Sequence, residues 1–150
     1  MPKVLVVYAS MTGNTEEMAE AIVEGVKEAG AEVVSKESFD ASAAELMDYD
    51  GIIIGAYTWG DGELPDEFLD FYEEMSSLDL SGKKAAVFGS GDTSYPIYCA
   101  SVNIIEEKLK ELGAEIACEC IKFEYNPTEA EKEQGRSLGR QIAGLVAVNS

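Results

Sequence analysis

Short apolar runs alternate along this chain with stretches whose apolar residues recur at helical spacing, and this alternation limits the folds open to the chain. The runs are rich in Val, Ile and Ala, which is typical of strands covered on both faces of a parallel sheet. Strands are predicted at residues 3–8, 31–37, 51–56, 84–89 and 115–123. Helices are predicted at residues 16–29, 66–75, 102–112 and 128 to about 146, with a weaker helical turn at 43–46.

This order of elements predicts an α/β fold of three layers, with helices on both faces of a doubly wound, five-stranded parallel sheet. Short connections between alternating strands and helices require right-handed crossovers. The 150 residues contain no linker or internal repeat, so residues 1–150 are expected to form one domain. Ligands of such sheets bind beyond the carboxyl ends of the strands, where the winding reverses. The loops after the first, third and fourth strands are therefore expected to carry the function.

The composition argues against several classes of protein. Histidine is absent, which removes the commonest general base and the commonest metal ligand. The three cysteines, Cys99, Cys118 and Cys120, lack the Cys-x-x-Cys spacing of a zinc site or a redox pair. They are expected to be reduced, and no metal is expected. The first residues do not form a signal peptide, and no apolar run approaches the ~18 residues of a membrane span. The sequence thus predicts a cytoplasmic protein without a membrane partner.

The charge is strongly negative. Eleven Lys and Arg against 29 Asp and Glu give a formal charge of -18. Such a field repels nucleic acid and favours a basic protein partner. The alternative is that the acidity only keeps the protein soluble.

The loop after the first strand is rich in neutral hydrogen-bond donors and leads directly into a helix. Its residues are Ser10, Met11, Thr12, Gly13, Asn14 and Thr15. The first N–H groups of a helix lack intrahelical partners, so such a loop favours binding of an anion such as a phosphate monoester. The loop has no Lys or Arg, which excludes a P-loop. The alternative is that these residues are ordinary helix caps and turn formers.

The loop after the third strand carries the chain's single tryptophan. Its candidate residues are Thr58, Trp59, Gly60 and Asp61. A loop tryptophan has no core to join unless a ligand completes one, and a planar ring would do so. Gly60 would allow the peptide between Gly60 and Asp61 to turn over at little cost. The alternative is a surface tryptophan near a hinge.

The loop after the fourth strand repeats the pattern of small polar and aromatic residues. Its candidate residues are Ser90, Gly91, Asp92, Tyr95, Tyr98 and Cys99. Tyr95 could cover the ring face opposite Trp59, and Asp92 could meet a pyrimidine edge. Alone, this loop is equally well read as a turn with two tyrosines. Together, the three loops offer a phosphate cradle, two flat clamps and polar groups for a ring edge.

At these residues the chain resembles the flavodoxin family. The first loop matches the family's Ser/Thr-x-Thr-Gly-x-Thr phosphate motif, and residues 58–62 and 91–95 match its second and third loops. The predicted fifth strand runs without interruption over residues 115–123, which resembles the short-chain branch. The resemblance covers essentially the whole chain and implies strand order 2-1-3-4-5.

The resemblance also implies a function. A flavodoxin would hold FMN without a covalent link, with the isoalloxazine between Trp59 and Tyr95 and Asp92 at its pyrimidine end. It would be an electron carrier of low potential and not an enzyme. Its partners would be basic-surfaced redox proteins, such as a reductase and acceptor oxidoreductases, in transient contact with a monomer.

Two other classes share the general fold. An FMN-dependent NAD(P)H:quinone reductase would need a nicotinamide or quinone pocket, for which this short chain shows no added loop. A phosphorylated receiver would need acids after the first strand, where Ala9 and Ser10 stand, and an Asp acceptor after the third, where Thr58 and Trp59 stand. The receiver is therefore disfavoured.

Overall fold

The computed structural model of the chain describes residues 3–9, 14–37, 43–57, 66–91, 100–116, 121–124 and 128–149. The strand segments are β1 (Lys3–Tyr8), β2 (Glu32–Glu37), β3 (Gly51–Tyr57), β4 (Lys84–Gly91), β5 (Glu115–Ile116) and β6 (Ile121–Glu124). The α-helices are α1 (Asn14–Glu28), α2 (Asp66–Met75), α3 (Ala100–Glu111) and α4 (Glu129–Asn149). A short 3-10 helix, Ala43–Asp48, lies between β2 and β3. None of the described helices combines the length and apolar character needed to cross a bilayer.

The strands form one parallel sheet in the order β2-β1-β3-β4-β5, and β6 also pairs with β4. This confirms the predicted strand order and the predicted fold class. Helices α1 and α4 pack on one face of the sheet, while α2, α3 and the 3-10 helix pack on the other. Successive residues of β1 alternate between the two faces: Val4 and Val6 face the first layer, and Leu5 and Val7 the second.

The fifth strand position differs from the prediction of one uninterrupted run. Lys84 of β4 pairs with Glu115, and Phe88 pairs with Ile121. The chain therefore advances six residues on this strand while β4 advances four, and the register shifts by two. Among the described residues, this strand position pairs with β4 on one side. A strand that is paired on one side tolerates such a shift better than a central strand does. Residues 117–120 lie outside the described residues.

Glycines allow α1 and α4 to touch backbone to backbone. A Cβ atom at Gly25 of α1 would overlap the carbonyl group of Arg136, and one at Gly139 of α4 would overlap the carbonyl oxygen of Ile22. The predicted apolar stripe of α1 is buried here, with Met18, Ile22 and Val26 fully inaccessible to solvent. The two helices are therefore held at a separation that side chains at these positions would not permit.

Side chains mediate the other layer. Phe71 and Met75 of α2 and Ile105 and Leu109 of α3 are buried against the sheet. Lys108 of α3 reaches across to α2, where its ammonium lies 4.9 Å from the centre of the Tyr72 ring. The same ammonium donates a hydrogen bond of 2.9 Å to Ser76 Oγ. Contacts between α2 and α3 thus depend on side chains that can adjust.

Backbone hydrogen bonds close the amino edge of the sheet. Asp50 N donates to Lys3 O at 3.1 Å, and Lys84 N donates to Asp50 O at 3.2 Å. The ammonium of Lys83 donates to the carbonyl oxygens of Tyr49 at 2.6 Å and Met47 at 3.1 Å. The polar groups named here therefore form hydrogen bonds with one another at this edge.

Candidate functional site

The carboxyl ends of β1, β3 and β4 lie side by side. Tyr8 pairs with Gly55, and Tyr57 pairs with Ser90, so the strands run in register to their ends. Ala9, one residue beyond β1, donates its N–H to Gly55 O at 3.0 Å. The loops that sequence analysis selected therefore leave from one edge of the sheet.

The winding of the sheet reverses at this edge. From β1 the chain passes through α1 to β2 on one side, and then returns to β3 on the other side of β1. Later strands add outward from β3. The crevice between β1 and β3 is therefore the place where an open α/β sheet binds its ligand.

Helix α1 begins close to the carboxyl end of β1. The described chain stops at Ala9 and resumes at Asn14, the first residue of α1, so four residues connect the two elements. Ser10, Met11, Thr12 and Gly13 lie outside the described residues. Asn14 and Thr15 supply the first turn of α1, where N–H groups lack intrahelical acceptors. The anion site expected from the sequence would lie at this turn.

The other candidate residues follow the same boundaries. Ser90 and Gly91 end β4, with their backbones paired to Phe123 and Glu124 of β6. The remaining candidates lie outside the described residues: Thr58, Trp59, Gly60, Asp61, Asp92, Tyr95, Tyr98 and Cys99. In the chain they stand between β3 and α2 and between β4 and α3.

Sequence analysis missed a pair of residues that supports the site. A Cβ atom at Gly55 would overlap the ring of Phe88, which is fully buried. Gly55 therefore lets the ring of Phe88, its pairing partner on β4, lie directly on β3 close to the carboxyl ends of both strands. A glycine inside an apolar strand signals such a close approach, and this signal was available in the run GIIIGAY.

Charges near the start of α1 are mixed. Glu16 and Glu17 lie in its first turn, and the ammonium of Lys132 lies 3.9 Å from Glu17 Oε2. The start of α4 satisfies its own polar groups through a capping box: Glu131 N donates to Thr128 Oγ1 at 3.1 Å, and Thr128 N donates to Glu131 Oε1 at 2.9 Å.

Among the described residues, no group of His, Cys, Asp or Glu could hold a metal ion.

The geometry and donor types fit FMN. Adjacent strands lie ~4.8 Å apart, so the ends of β1, β3 and β4 span about 10 Å, which a flat fused-ring system can cover. Hydroxyl and amide donors before a helix start suit a phosphate monoester. The residues present are therefore compatible with a ring at the strand ends and a phosphate at α1.

Comparison with known proteins decides the family. A sequence profile described as flavodoxin matches residues 6–139. The protein "Probable flavodoxin 2" of Bacillus subtilis (strain 168) is 52% identical over 144 residues, which cover 95% of each chain. The chain belongs to the flavodoxin family.

Solved flavodoxin structures agree with the described fold. Oxidised flavodoxin 1 from Bacillus cereus has a TM-score of 0.91 and 48% identity, covering 95% of this chain and 97% of that one. A short-chain flavodoxin associated with a bacterial microcompartment has a TM-score of 0.93 and 32% identity, covering 97% and 99%. These neighbours confirm the resemblance to the short-chain branch.

Family membership establishes the general activity. As a flavodoxin, the chain binds FMN and carries electrons between redox partners, and it is an electron-transfer protein rather than an enzyme. The electron-carrier interpretation is thereby confirmed over the quinone reductase alternative.

Proposed function

We propose that the three loops at the carboxyl edge hold FMN in an extended arrangement, within one domain of residues 1–150. The first loop would bind the phosphate, through residues Ser10, Met11, Thr12, Gly13, Asn14 and Thr15. Trp59 and Tyr95 would cover the two faces of the isoalloxazine, and the remaining candidates would line its edges: Thr58, Gly60, Asp61, Ser90, Gly91, Asp92, Tyr98 and Cys99. The observation that carries the proposal is the in-register alignment of β1, β3 and β4 with the start of α1.

The phosphate would be held by neutral donors. Hydroxyl and backbone N–H groups can satisfy phosphate oxygens without supplying a full positive charge. Such a site leaves the negative charge of the phosphate largely in place. The bound cofactor is then surrounded by a protein of formal charge -18.

The acidic protein would lower the redox potential of the bound cofactor. FMN supplies one- and two-electron chemistry when bound. Acids of this chain make a further negative charge in the site unfavourable, and aromatic side chains that limit water strengthen this effect. We expect the potential of the final one-electron reduction to lie below that of free FMN.

The same charge would select the partners. A strong negative field steers the protein onto basic surfaces of a reductase and of acceptor oxidoreductases, and brief contacts of small area suit a shuttle. We propose that the carrier is a cytoplasmic monomer. Electron-transfer rates are expected to fall as salt rises; a rate independent of salt would contradict the steering.

Binding of FMN tests the site directly. The apoprotein is titrated with FMN and with riboflavin, which lacks the phosphate, and the yellow complex is followed by absorbance. Thr12→Val should weaken FMN binding by about tenfold or more, because a hydrogen bond to a charged group is worth ~1.5–3 kcal/mol. Riboflavin binding should not change.

A matched control removes the same hydroxyl from another helix start. Thr128→Val breaks the capping box of α4 and should lower the free energy of unfolding by about 1 kcal/mol without changing FMN affinity. Equal effects of the two substitutions on FMN binding would contradict the phosphate assignment. A purified protein that stays colourless with added FMN would overturn the proposed site as a whole.

Redox titration of the FMN complex tests the potential. The expected result is a final reduction potential below that of free FMN under the same conditions. A potential equal to or above the free value would show that the protein's charge does not act on the cofactor.

A further inference from the structure

Lys132 lies beside the start of α1 although it belongs to α4. It is in the first turn of α4, where its backbone N–H donates to Thr128 O at 2.8 Å. Its ammonium lies 3.9 Å from Glu17 Oε2 in the first turn of α1 and 3.9 Å from Glu129 Oε1 on its own helix. The side chains of Lys132 and Glu17 are 30% and 40% exposed. The contact thus links the starts of two helices at the edge of the sheet that carries the site.

The acids in the first turn of α1 present an electrostatic problem. In a helix without a ligand, Glu16 and Glu17 interact favourably with the positive end of the helix dipole. When a phosphate binds at that end, the same acids repel it. Glu17 is three residues from Asn14, a rise of about 4.5 Å along the axis. The first loop has no Lys or Arg to offset this repulsion.

We propose that Lys132 is a positioning residue for the FMN phosphate, acting by neutralising Glu17 in the first turn of α1. The inference rests on the proposed phosphate site at the start of α1. Lys132 would act through Glu17 and through the local field, with no direct contact to the phosphate required. A neutral binding loop, together with a cation on the neighbouring helix, would accept the phosphate dianion without a direct contact between opposite charges.

A second ion pair between the same helices serves as the control. Arg140 Nη1 lies 3.0 Å from Glu28 Oε1 at the far end of α1. Glu28 is eleven residues beyond Glu17, which places it about 16 Å further along the axis. That distance exceeds the Debye length of ~10 Å at 0.1 M salt. A role in holding the helices together would be shared by both ion pairs, whereas a role toward the phosphate belongs to Lys132 alone.

The experiment compares FMN and riboflavin affinities of four variants with those of the intact protein. The variants are Lys132→Gln, Glu17→Gln, the double variant and Arg140→Gln. At low salt, Lys132→Gln should weaken FMN binding by about three- to tenfold and leave riboflavin binding unchanged. Glu17→Gln should tighten FMN binding by a similar factor, and the double variant should return close to the intact protein. Arg140→Gln should leave the ratio of the two affinities unchanged.

Salt and a conservative variant sharpen the test. The effect of Lys132→Gln should largely vanish at about 1 M salt, where the Debye length is ~3 Å. Lys132→Arg should restore the FMN affinity. If Lys132→Gln and Arg140→Gln change the FMN to riboflavin ratio equally, or not at all, the inference is wrong. If the intact protein does not prefer FMN over riboflavin, the phosphate site of the proposed function fails first, and the inference fails with it.

Discussion

The two helical layers of this flavodoxin are built differently. Helices α1 and α4 touch through backbone, with Gly25 and Gly139 at the contacts. Helices α2 and α3 meet through side chains such as Tyr72 and Lys108. Backbone contacts leave no room for adjustment, whereas long side chains can shift by changing rotamer.

The difference between the layers corresponds to the parts of FMN that the neighbouring loops are proposed to bind. Helix α1 follows the phosphate loop, while α2 and α3 follow the two loops proposed to cover the ring. The phosphate keeps its charge during electron transfer, so a rigid support suits it. The ring would gain and lose electrons, so an adjustable support suits it. We infer a division between the two layers: α1 and α4 anchor the phosphate, and α2 and α3 adjust to the redox state of the ring.

The largest expected effect breaks the backbone contact. Gly25→Ala should lower the free energy of unfolding by at least about 2 kcal/mol, because the new methyl group overlaps the Arg136 carbonyl and forces α1 and α4 apart. Urea unfolding of the apoprotein measures the change.

The matched control for this substitution is Gly144→Ala in α4. A Cβ atom there meets nothing within 4 Å. Alanine is a better helix former than glycine, so the free energy of unfolding should rise by up to ~1 kcal/mol. If both alanine variants are equally stable, the contact is not as rigid as proposed.

The second prediction concerns the ring side. Trp59→Ala should weaken FMN and riboflavin binding alike, by about tenfold to hundredfold, since it removes aromatic contact with the ring and leaves the phosphate site intact. Fluorescence titration of the flavin measures both affinities. Loss of FMN affinity alone would place Trp59 on the phosphate side and break the proposed division.

The third prediction tests the side-chain contact between α2 and α3. Lys108→Met should lower the free energy of unfolding by about 1 kcal/mol, through loss of the cation–π contact with Tyr72 and the hydrogen bond to Ser76. Lys110→Met is the control, because the Lys110 side chain is 59% exposed and pairs with a neighbour on its own helix, Glu106. Its change should stay within ~0.5 kcal/mol. Equal changes would remove the special role of Lys108.

The smallest effect lies in the pH dependence of the α1–α4 layer. Hydrogen bonds from Arg136 and Arg140 hold the pKa of Glu133 below its ordinary value of 4.5. A lowered folded-state pKa adds stability that is fully present above the unfolded value and is lost as the pH falls through the folded value. Glu133→Gln should therefore lower the urea midpoint at pH 7 more than at pH 3. A difference that is the same at both pH values would contradict this.

Much of the fold could be predicted because local patterns and packing agree. The helix over 66–75 matches α2 at both ends, and the stripe of α1 is buried as expected. In α2, Phe71 and Met75 are buried and Tyr72 packs half-buried against the same core. The register shift between β5 and β6 was missed, because strand register depends on the partner and not on the run itself.

The sequence predicted the location of the candidate site better than its geometry. Strand ends, the start of α1 and the reversal of winding follow from the order of elements, and the structure confirms these. The support given by Gly55 and Phe88, and by Lys132 to Glu17, joins residues far apart in sequence. Such contacts depend on the packed sheet and helices, so periodicity along the chain does not reveal them. Site residues in the loops outside the described part of the chain stay predictions.

The register shift in the fifth strand position has a consequence for engineering. Because β5 and β6 each pair with β4 at their own register, we expect the sheet to tolerate a change in the length of the junction between them. A peptide tag or a small reporter inserted there would add only a slowly growing loop-closure entropy. The molecule thus offers an attachment point on a flank of the sheet, away from the switch point between β1 and β3.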